Sequence, residues 1–212
     1  MPTFLGDFEG AASNRAEKFH RAVQSVWDQS LMNWELIIVV DGCPIAAAEA
    51  MRYAGSERIT VMKVPKQRRW SGACRNFGLS VATGAYAIYL DSDDRYGPDH
   101  LLKVGTGLKA ANWPTWGALD EQVWNPTAHQ WETRLVMDLL ANRSGKIHAG
   151  TQNIVHRTDM GIEWPAIEHR APGFGYAAED HAMVKSLEKI AAPVYIAGAD
   201  QYLMHAPGLY DL

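Results

Sequence analysis

Cysteine is scarce: Cys43 and Cys74 are the only two in 212 residues. That is too few for a disulfide framework or a cysteine-rich zinc site, and a reducing cytoplasm is the default compartment. No apolar run approaches the roughly 18 residues of a membrane-spanning helix, and the amino terminus lacks a charged-then-apolar signal pattern. Peripheral membrane contact stays open. Lys/Arg runs are also missing and the net charge is −4, so nothing electrostatic recommends nucleic acid as a partner. With no internal repeat and no low-complexity linker, residues 1–212 read as a single domain.

What is present suits a soluble core: 47% of residues are hydrophobic and 21% charged. Phe19, Ala22, Val23, Val26 and Trp27 recur at helical spacing, and Asn14 with Glu17 resembles a capping box, so a helix is expected over 15–30. The β-branched run Leu36-Ile37-Ile38-Val39-Val40 predicts a buried parallel strand ending at Asp41-Gly42. A helix over 46–53, a strand over 58–64 and a polar, basic connection over 66–69 follow. Ala73, Phe77 and Val81 mark a further helix before Gly84, and 86–90 reads as a strand. This alternation predicts a layered α/β/α domain with a mostly parallel central sheet. The second half is less regular. Helices are expected over 98–108 and 178–190, strands over 147–157 and 194–197, and a flexible loop over 172–176.

Three acidic groups stand out. Asp91-Ser92-Asp93-Asp94 follows the strand ending at Leu90, and Asp41 follows another. Bare carboxylates are costly to bury, and ligands of open α/β sheets sit beyond the carboxyl ends of the strands. A turn at Asp41-Gly42 and a solvated loop at Asp91 to Asp94 are the plainer alternatives. An EF-hand calcium loop fails because Tyr96 stands where that loop needs glycine. A hard cation such as Mg²⁺ or Mn²⁺ takes one or two carboxylates and completes its shell with phosphate oxygens and water. The third group, Glu179-Asp180, opens a helix, where it either complements the helix dipole or supplies a general base. Four tryptophans, Trp113, Trp116, Trp124 and Trp131, are either packing residues or a platform for stacking sugars.

Taken in order, these motifs resemble family 2 glycosyltransferases of the GT-A fold. Trp34 through Gly42 is similar to the family's nucleotide-binding strand and acidic turn. Arg75-Asn76-Phe77-Gly78, Ala82-Thr83-Gly84-Ala85-Tyr86 and Asp91-Ser92-Asp93-Asp94 resemble its RN-x-G, A-x-G-x-Y and D-x-D-D signature. Tyr176-Ala177-Ala178-Glu179-Asp180 resembles its Glu-Asp motif. The resemblance implies transfer of a sugar, with inversion, from a UDP-, GDP- or dTDP-linked donor to a glycan, lipid-linked or protein hydroxyl, aided by Mn²⁺ or Mg²⁺. It implies that Asp41 contacts the nucleotide base and that Pro2-Thr3-Phe4 lines it. Arg75 and Asp91 would hold the nucleotide-sugar. Asp93, with Asp91, would ligate the metal, and Asp180 would be the base, braced by Glu179. His205 stands where some members add a metal or diphosphate contact, and an ordinary structural role is equally open to it. Trp164 and Gly173-Phe174-Gly175 stand where an acceptor-side wall would, with packing as their other role. Residues 1–110 would form the nucleotide-sugar half and 111–212 the acceptor half.

Three departures accompany the resemblance. The apolar strand that usually precedes Pro-Thr-Phe is missing or truncated, the acidic turn keeps one carboxylate of two, and 5–12 reads as an inserted loop beside the donor pocket. Other readings are a catalytically degenerate domain that binds nucleotide or glycan, and a haloacid-dehalogenase-like phosphatase. Asp94-Arg95 after the Asp pair counts against the phosphatase. The lack of an early Gly-rich, Lys-containing loop counts against a sugar nucleotidyltransferase.

Overall fold

The computed structural model describes residues 1–7, 13–67, 71–135, 150–165 and 178–203. The expected loop over 172–176, with Gly173-Phe174-Gly175, and His205 lie outside the described residues. Strand β1 (Pro2–Thr3) is followed by helix α1 (Arg15–Trp27), β2 (Leu36–Asp41), α2 (Pro44–Met51), β3 (Ile59–Val64) and α3 (Gly72–Leu79). Next come β4 (Tyr86–Ile88), β5 (Arg95–Tyr96), α4 (His100–Ala110), β6 (Trp116–Leu119), β7 (Glu121–Asn125) and β8 (Gln130–Arg134). A 3-10 turn at Thr151–Asn153 precedes β9 (Ile154–Arg157), α5 (Ala178–Glu188), β10 (Val194–Ile196) and β11 (Gln201–Leu203).

The expected parallel arrangement is found in β1-β2-β3, where β2 pairs with β3 along its whole length. Alternate residues of β2 bury toward opposite faces. Ile38 and Val40 meet Phe19, Val23 and Val26 of α1, whereas Val39 meets Cys74 of α3. Helices therefore cover both sides of this sheet. Phe19 is fully buried, a removal from water worth about 1.5–3 kcal/mol for a side chain of its kind. Asn14 stands at the amino-terminal cap of α1 but makes no capping bond through its side chain.

Strand β1 is short rather than absent. Pro2 and Thr3 pair parallel with Val39 and Val40, and the Met1 amine donates to the Ile37 carbonyl at 2.8 Å. Pro2 and Thr3 are thus strand residues, not the loop that the resemblance implied. Thr3 is buried, and its hydroxyl has no hydrogen-bond partner among the described residues.

The single mostly parallel sheet becomes three. Strand β4, which leads into the acidic turn, pairs antiparallel with β9 in the sheet β10-β6-β9-β4. A cavity of about 890 Å³ is lined by Ile37 and Val39 of β2, Ile88 of β4, Leu90, Val104 of α4 and Val155 of β9. The third sheet, β5-β11-β7-β8, includes two strands, β7 and β8, that the Trp-, Pro- and Gly-containing composition had concealed, as it had β6 of the second. Helix α5 packs Met183, Val184 and Leu187 against Trp116, Tyr89 and Trp164.

Helix α3 departs from its expected apolar stripe. Phe77 and Val81 are each 41% exposed, whereas Cys74 and Arg75 are buried. Carboxylates on the inner side of the helix, described below, draw the guanidinium inward and set its rotation. Among the described residues no helix is long and apolar enough to cross a membrane.

Candidate active site

Arg75 is the centre of the site. Its side chain is 4% exposed and donates from Nη1 to Glu179 Oε1 at 2.8 Å and from Nη2 to Asp91 Oδ1 at 2.9 Å. Three elements, α3, the turn after β4 and α5, thereby meet at one guanidinium. Burial disfavours its charge, but Asp91, Glu179 and Asp180 outweigh that and hold Arg75 more firmly protonated than usual. At Glu179 the balance is reversed. Burial there outweighs Arg75, and with repulsion from Asp180 and Asp91 the carboxyl is pushed up to about 7.

The neighbours of Arg75 support this arrangement. Its Cζ lies 4.6 Å from the Trp164 ring centre, a cation–π contact within a buried setting. Asn76 then clamps the backbone of Trp164, donating to its carbonyl at 3.0 Å and accepting from its N–H at 2.7 Å. Trp164 is 2% exposed, so it covers the ion pair and is not the acceptor-side wall named as one of its two roles. A side chain at Gly72 would place its Cβ 2.6 Å from Glu179 Oε1 and 3.0 Å from Trp164 Cβ. Glycine is what lets the start of α3 approach so closely.

Asp180 lies on the same first turn of α5, within the electrostatic reach of Arg75, and accepts a hydrogen bond from the Thr151 hydroxyl. Thr151 is buried in the 3-10 turn, which Asn153 pins to β6 by donating to the Leu119 carbonyl at 2.9 Å. The two adjacent carboxylates thus differ in one contact each: Glu179 bonds the Arg75 guanidinium, and Asp180 accepts from the Thr151 hydroxyl.

Asp41 is bound by its own chain. Lys66 Nζ donates to Oδ2, and the Gln67 N–H donates to Oδ1 at 2.5 Å. Gly42 permits that approach at φ +58°, because a Cβ there would sit 2.4 Å from the Lys66 nitrogen. Lys66 Nζ also lies 4.5 Å above the Phe4 ring, so Phe4 and Asp41 flank one ammonium. Cys43 caps the start of α2, its Sγ accepting from the Ala46 N–H at 3.4 Å. The field of Asp41 reaches Cys74, whose thiol is pushed up to about 11, first by burial and then by Asp41.

Arg15 links Phe4 to the acidic turn. It donates to the carbonyls of Phe4 and Gly6 and feels the charge of Asp93. The structure thus brings Arg75, Asp91 and Glu179 into contact and Asp180 beside them. Asp41 and Phe4 form a second group joined through Lys66, and Asp93 lies near Arg15. Among the described residues no three His, Cys, Asp or Glu side chains gather as a metal cage. Sequence reasoning missed Lys66, Arg15 and Thr151. Lys66 could have been found, since it follows the carboxyl end of the strand beside β2; nothing local marks Thr151.

Helices cover both faces of a parallel sheet with carboxylates beyond its strand ends, and the fold is an α/β domain of the GT-A type. The fold is similar to that of S. aureus TarS in complex with UDP-GlcNAc, with TM-score 0.70 and 16% identity, covering 100% of this chain and 59% of that chain. Residues 11–133 match the family model described as Glycosyl transferase family 2, and the chain belongs to that family. It is 36% identical over 89 residues to the succinoglycan biosynthesis protein ExoW of Rhizobium meliloti (strain 1021), spanning 40% of this chain and 27% of that protein. It is 25% identical over 205 residues to the putative glycosyltransferase EpsH of Bacillus subtilis (strain 168), spanning 87% of this chain and 58% of that protein. The chain therefore spans less than two thirds of these relatives' length.

Proposed function

We propose that this chain is an inverting glycosyltransferase that moves a sugar from a nucleotide-diphosphate donor to an acceptor hydroxyl. The observation that carries the reading is the meeting of Arg75, Asp91 and Glu179, with Asp180 one residue further accepting a hydrogen bond from Thr151. Glu179 is tied to a buried cation, which suits a brace. Asp180 stands at the edge of the same cluster and accepts a hydrogen bond from Thr151, which suits a positioned base. In the reaction the acceptor oxygen attacks the anomeric carbon from the face opposite the diphosphate. Asp180 takes the acceptor proton as the new C–O bond forms, and the old one breaks with its electron pair leaving on the nucleoside diphosphate.

A divalent cation fits the donor set. Asp91 engages Arg75 through Oδ1 and its side chain is 37% exposed, while Asp93 is half-buried in the same turn. Two carboxylates match what Mg²⁺ or Mn²⁺ takes when phosphates and water complete its shell. Asp93 and the second oxygen of Asp91 would hold it, and the ion would offset charge on the departing diphosphate. Asp41, Phe4 and Lys66 would bind the nucleotide base side. Pro2 would support that group from the backbone.

The complex of TarS with UDP-GlcNAc makes UDP-sugars the first donors to screen. The name of one relative, the succinoglycan biosynthesis protein ExoW, supports a glycan acceptor, which this chain would meet in the cytoplasm or at the membrane surface. The test is a thermal-shift and donor-hydrolysis screen of UDP-, GDP- and dTDP-sugars with Mn²⁺ or with EDTA. A donor that stabilises the protein and turns over only with the cation is the expected result. Binding without turnover by any donor would point to a degenerate binding domain.

A further inference from the structure

We propose that this chain binds one extended, apolar strand of a partner polypeptide, seated in the cavity that β2 and β4 line. The cavity meets both strands edge-on. Neighbouring residues of a strand point to opposite faces, yet Leu36 and Ile37 of β2 and Tyr86, Ala87 and Ile88 of β4 all line it. Helix α1 reaches it with Val26 and α3 with Cys74 and Gly78, from the two opposite sides of β2.

Main-chain groups on both edges face away from the strands already paired. The Leu36 N–H donates to the Arg58 carbonyl on the β3 side, whereas Ile37 and Val39 turn the other way and bond to Met1. Strand β1 reaches only as far as the Ile37 carbonyl, so the Ile37 N–H lies beyond its end. On β4, the Thr158 N–H donates to the Ala85 carbonyl at 3.1 Å. The antiparallel register then makes Ala87 and His156 the next bonded pair. The N–H and C=O of Tyr86 and Ile88 are thereby directed away from β9, and β4 is the last strand of its sheet among the described residues.

Those edges select the occupant. Buried main-chain groups need partners, and another strand supplies donors and acceptors at the right spacing. An acyl chain fills apolar space but bonds to neither. Size agrees. A strand residue in a packed layer takes up about 160 Å³, from a rise of about 3.3 Å, a spacing of about 4.8 Å and a depth of about 10 Å. The cavity of about 890 Å³ therefore holds about five residues. With α1 on one side of the sheet plane and α3 on the other, the occupant is an unbroken apolar run, not an alternating one. Such a strand would join the sheets β1-β2-β3 and β10-β6-β9-β4 into one. It would brace from within both α3, which carries Arg75, and the strand that leads to Asp91. An effect on sugar transfer rests on the transferase reading; the binding does not.

The full chain is titrated with the probe acetyl-Lys-Lys-Val-Ile-Val-Val-Ile-amide, read by calorimetry, thermal melting and amide exchange. The probe should raise the melting temperature as its concentration rises and slow exchange at Ile37, Tyr86 and Ile88. An analogue N-methylated at alternate residues keeps every side chain but loses donors, and should bind about tenfold more weakly. Gly78 lines the cavity, and a Cβ there meets Val39 and Ile37 at an ordinary 3.6 and 3.8 Å. Gly78→Leu should therefore fill the seat, keep a cooperative thermal melt and weaken the probe. No binding at millimolar probe, or unchanged affinity in either the analogue or the folded variant, would overturn the proposal. So would binding of dodecanoate but not of the probe, which marks a lipid pocket. Stabilisation only when the same apolar residues are joined to the Met1 nitrogen would give the seat to the chain's own strand and overturn the partner. Probe binding by a wild type that binds no nucleotide-sugar would remove the transferase reading and leave the strand seat standing.

Discussion

Arg75 and Glu179 form a buried ion pair, 2.8 Å long, between side chains 4% and 6% exposed and 104 positions apart in the chain. The pair closes α5 onto α3 and, through the second Arg75 nitrogen, onto the turn that carries Asp91. A contact of this kind contributes little net stability when intact, because desolvating two charges costs about what their attraction returns. Breaking one half is another matter.

Arg75→Met should destabilise the protein by about 3–5 kcal/mol in urea unfolding, since Glu179 and Asp91 then lose their cation. The double variant Arg75→Met, Glu179→Met should recover much of that loss. A single variant within about 0.5 kcal/mol of wild type would mean that the pair is not formed in solution.

Glu179 also predicts an unusual pH dependence. Its carboxyl is raised from 4.5 to about 7, chiefly by burial, so the folded state holds this proton more tightly than the unfolded chain does. The stability it confers is therefore full below pH 4.5 and falls as pH rises toward 7, levelling beyond that. Across that window the loss is on the order of 3 kcal/mol. Comparing urea midpoints of wild type and Glu179→Gln from pH 4.5 to 8 isolates the effect, because the glutamine cannot titrate. A difference between the two that stays flat across the window, or runs the other way, would refute it.

The bond from Thr151 to Asp180 gives a kinetic prediction. Asp180→Asn should keep donor binding and lower kcat by about 10²–10⁴. Thr151→Val removes a hydrogen bond to the ionised carboxylate, so the acid limb of the kcat/KM profile should move to higher pH while donor KM holds. Thr151→Ser should restore the wild-type profile. A shift in donor KM alone would place Thr151 in substrate binding instead.

Much of the first half was legible because its apolar residues follow one period at a time. Strand β2 is a continuous, mostly β-branched run, and α1 buries Phe19, Ala22, Val23 and Val26 as their spacing predicts, although Trp27 of the same stripe is exposed. Helix α3 misled for a physical reason: an arginine was the inward residue, and a hydrophobic stripe drawn through Phe77 and Val81 cannot register a buried cation. Strands β6 to β8 were hidden since Trp, Gly and Pro interrupt any simple alternation there. Among the four tryptophans, Trp116 proved to be core, donating to the Ala191 carbonyl at 2.7 Å, while Trp124 and Trp131 face each other across a hairpin.

The residue types and their order determined the chemistry available to this protein: carboxylates beyond strand ends, an arginine in a helix, an acidic pair opening another. Those are local facts, set by what each side chain can donate, accept or ionise. Which carboxylate would be neutralised by Arg75 and which left on a hydroxyl was decided only by the packing of α3, α5 and the 3-10 turn. Glu179 and Asp180 are neighbours of the same charge, and only the direction in which a helix turns each of them gives one a cation and the other Thr151.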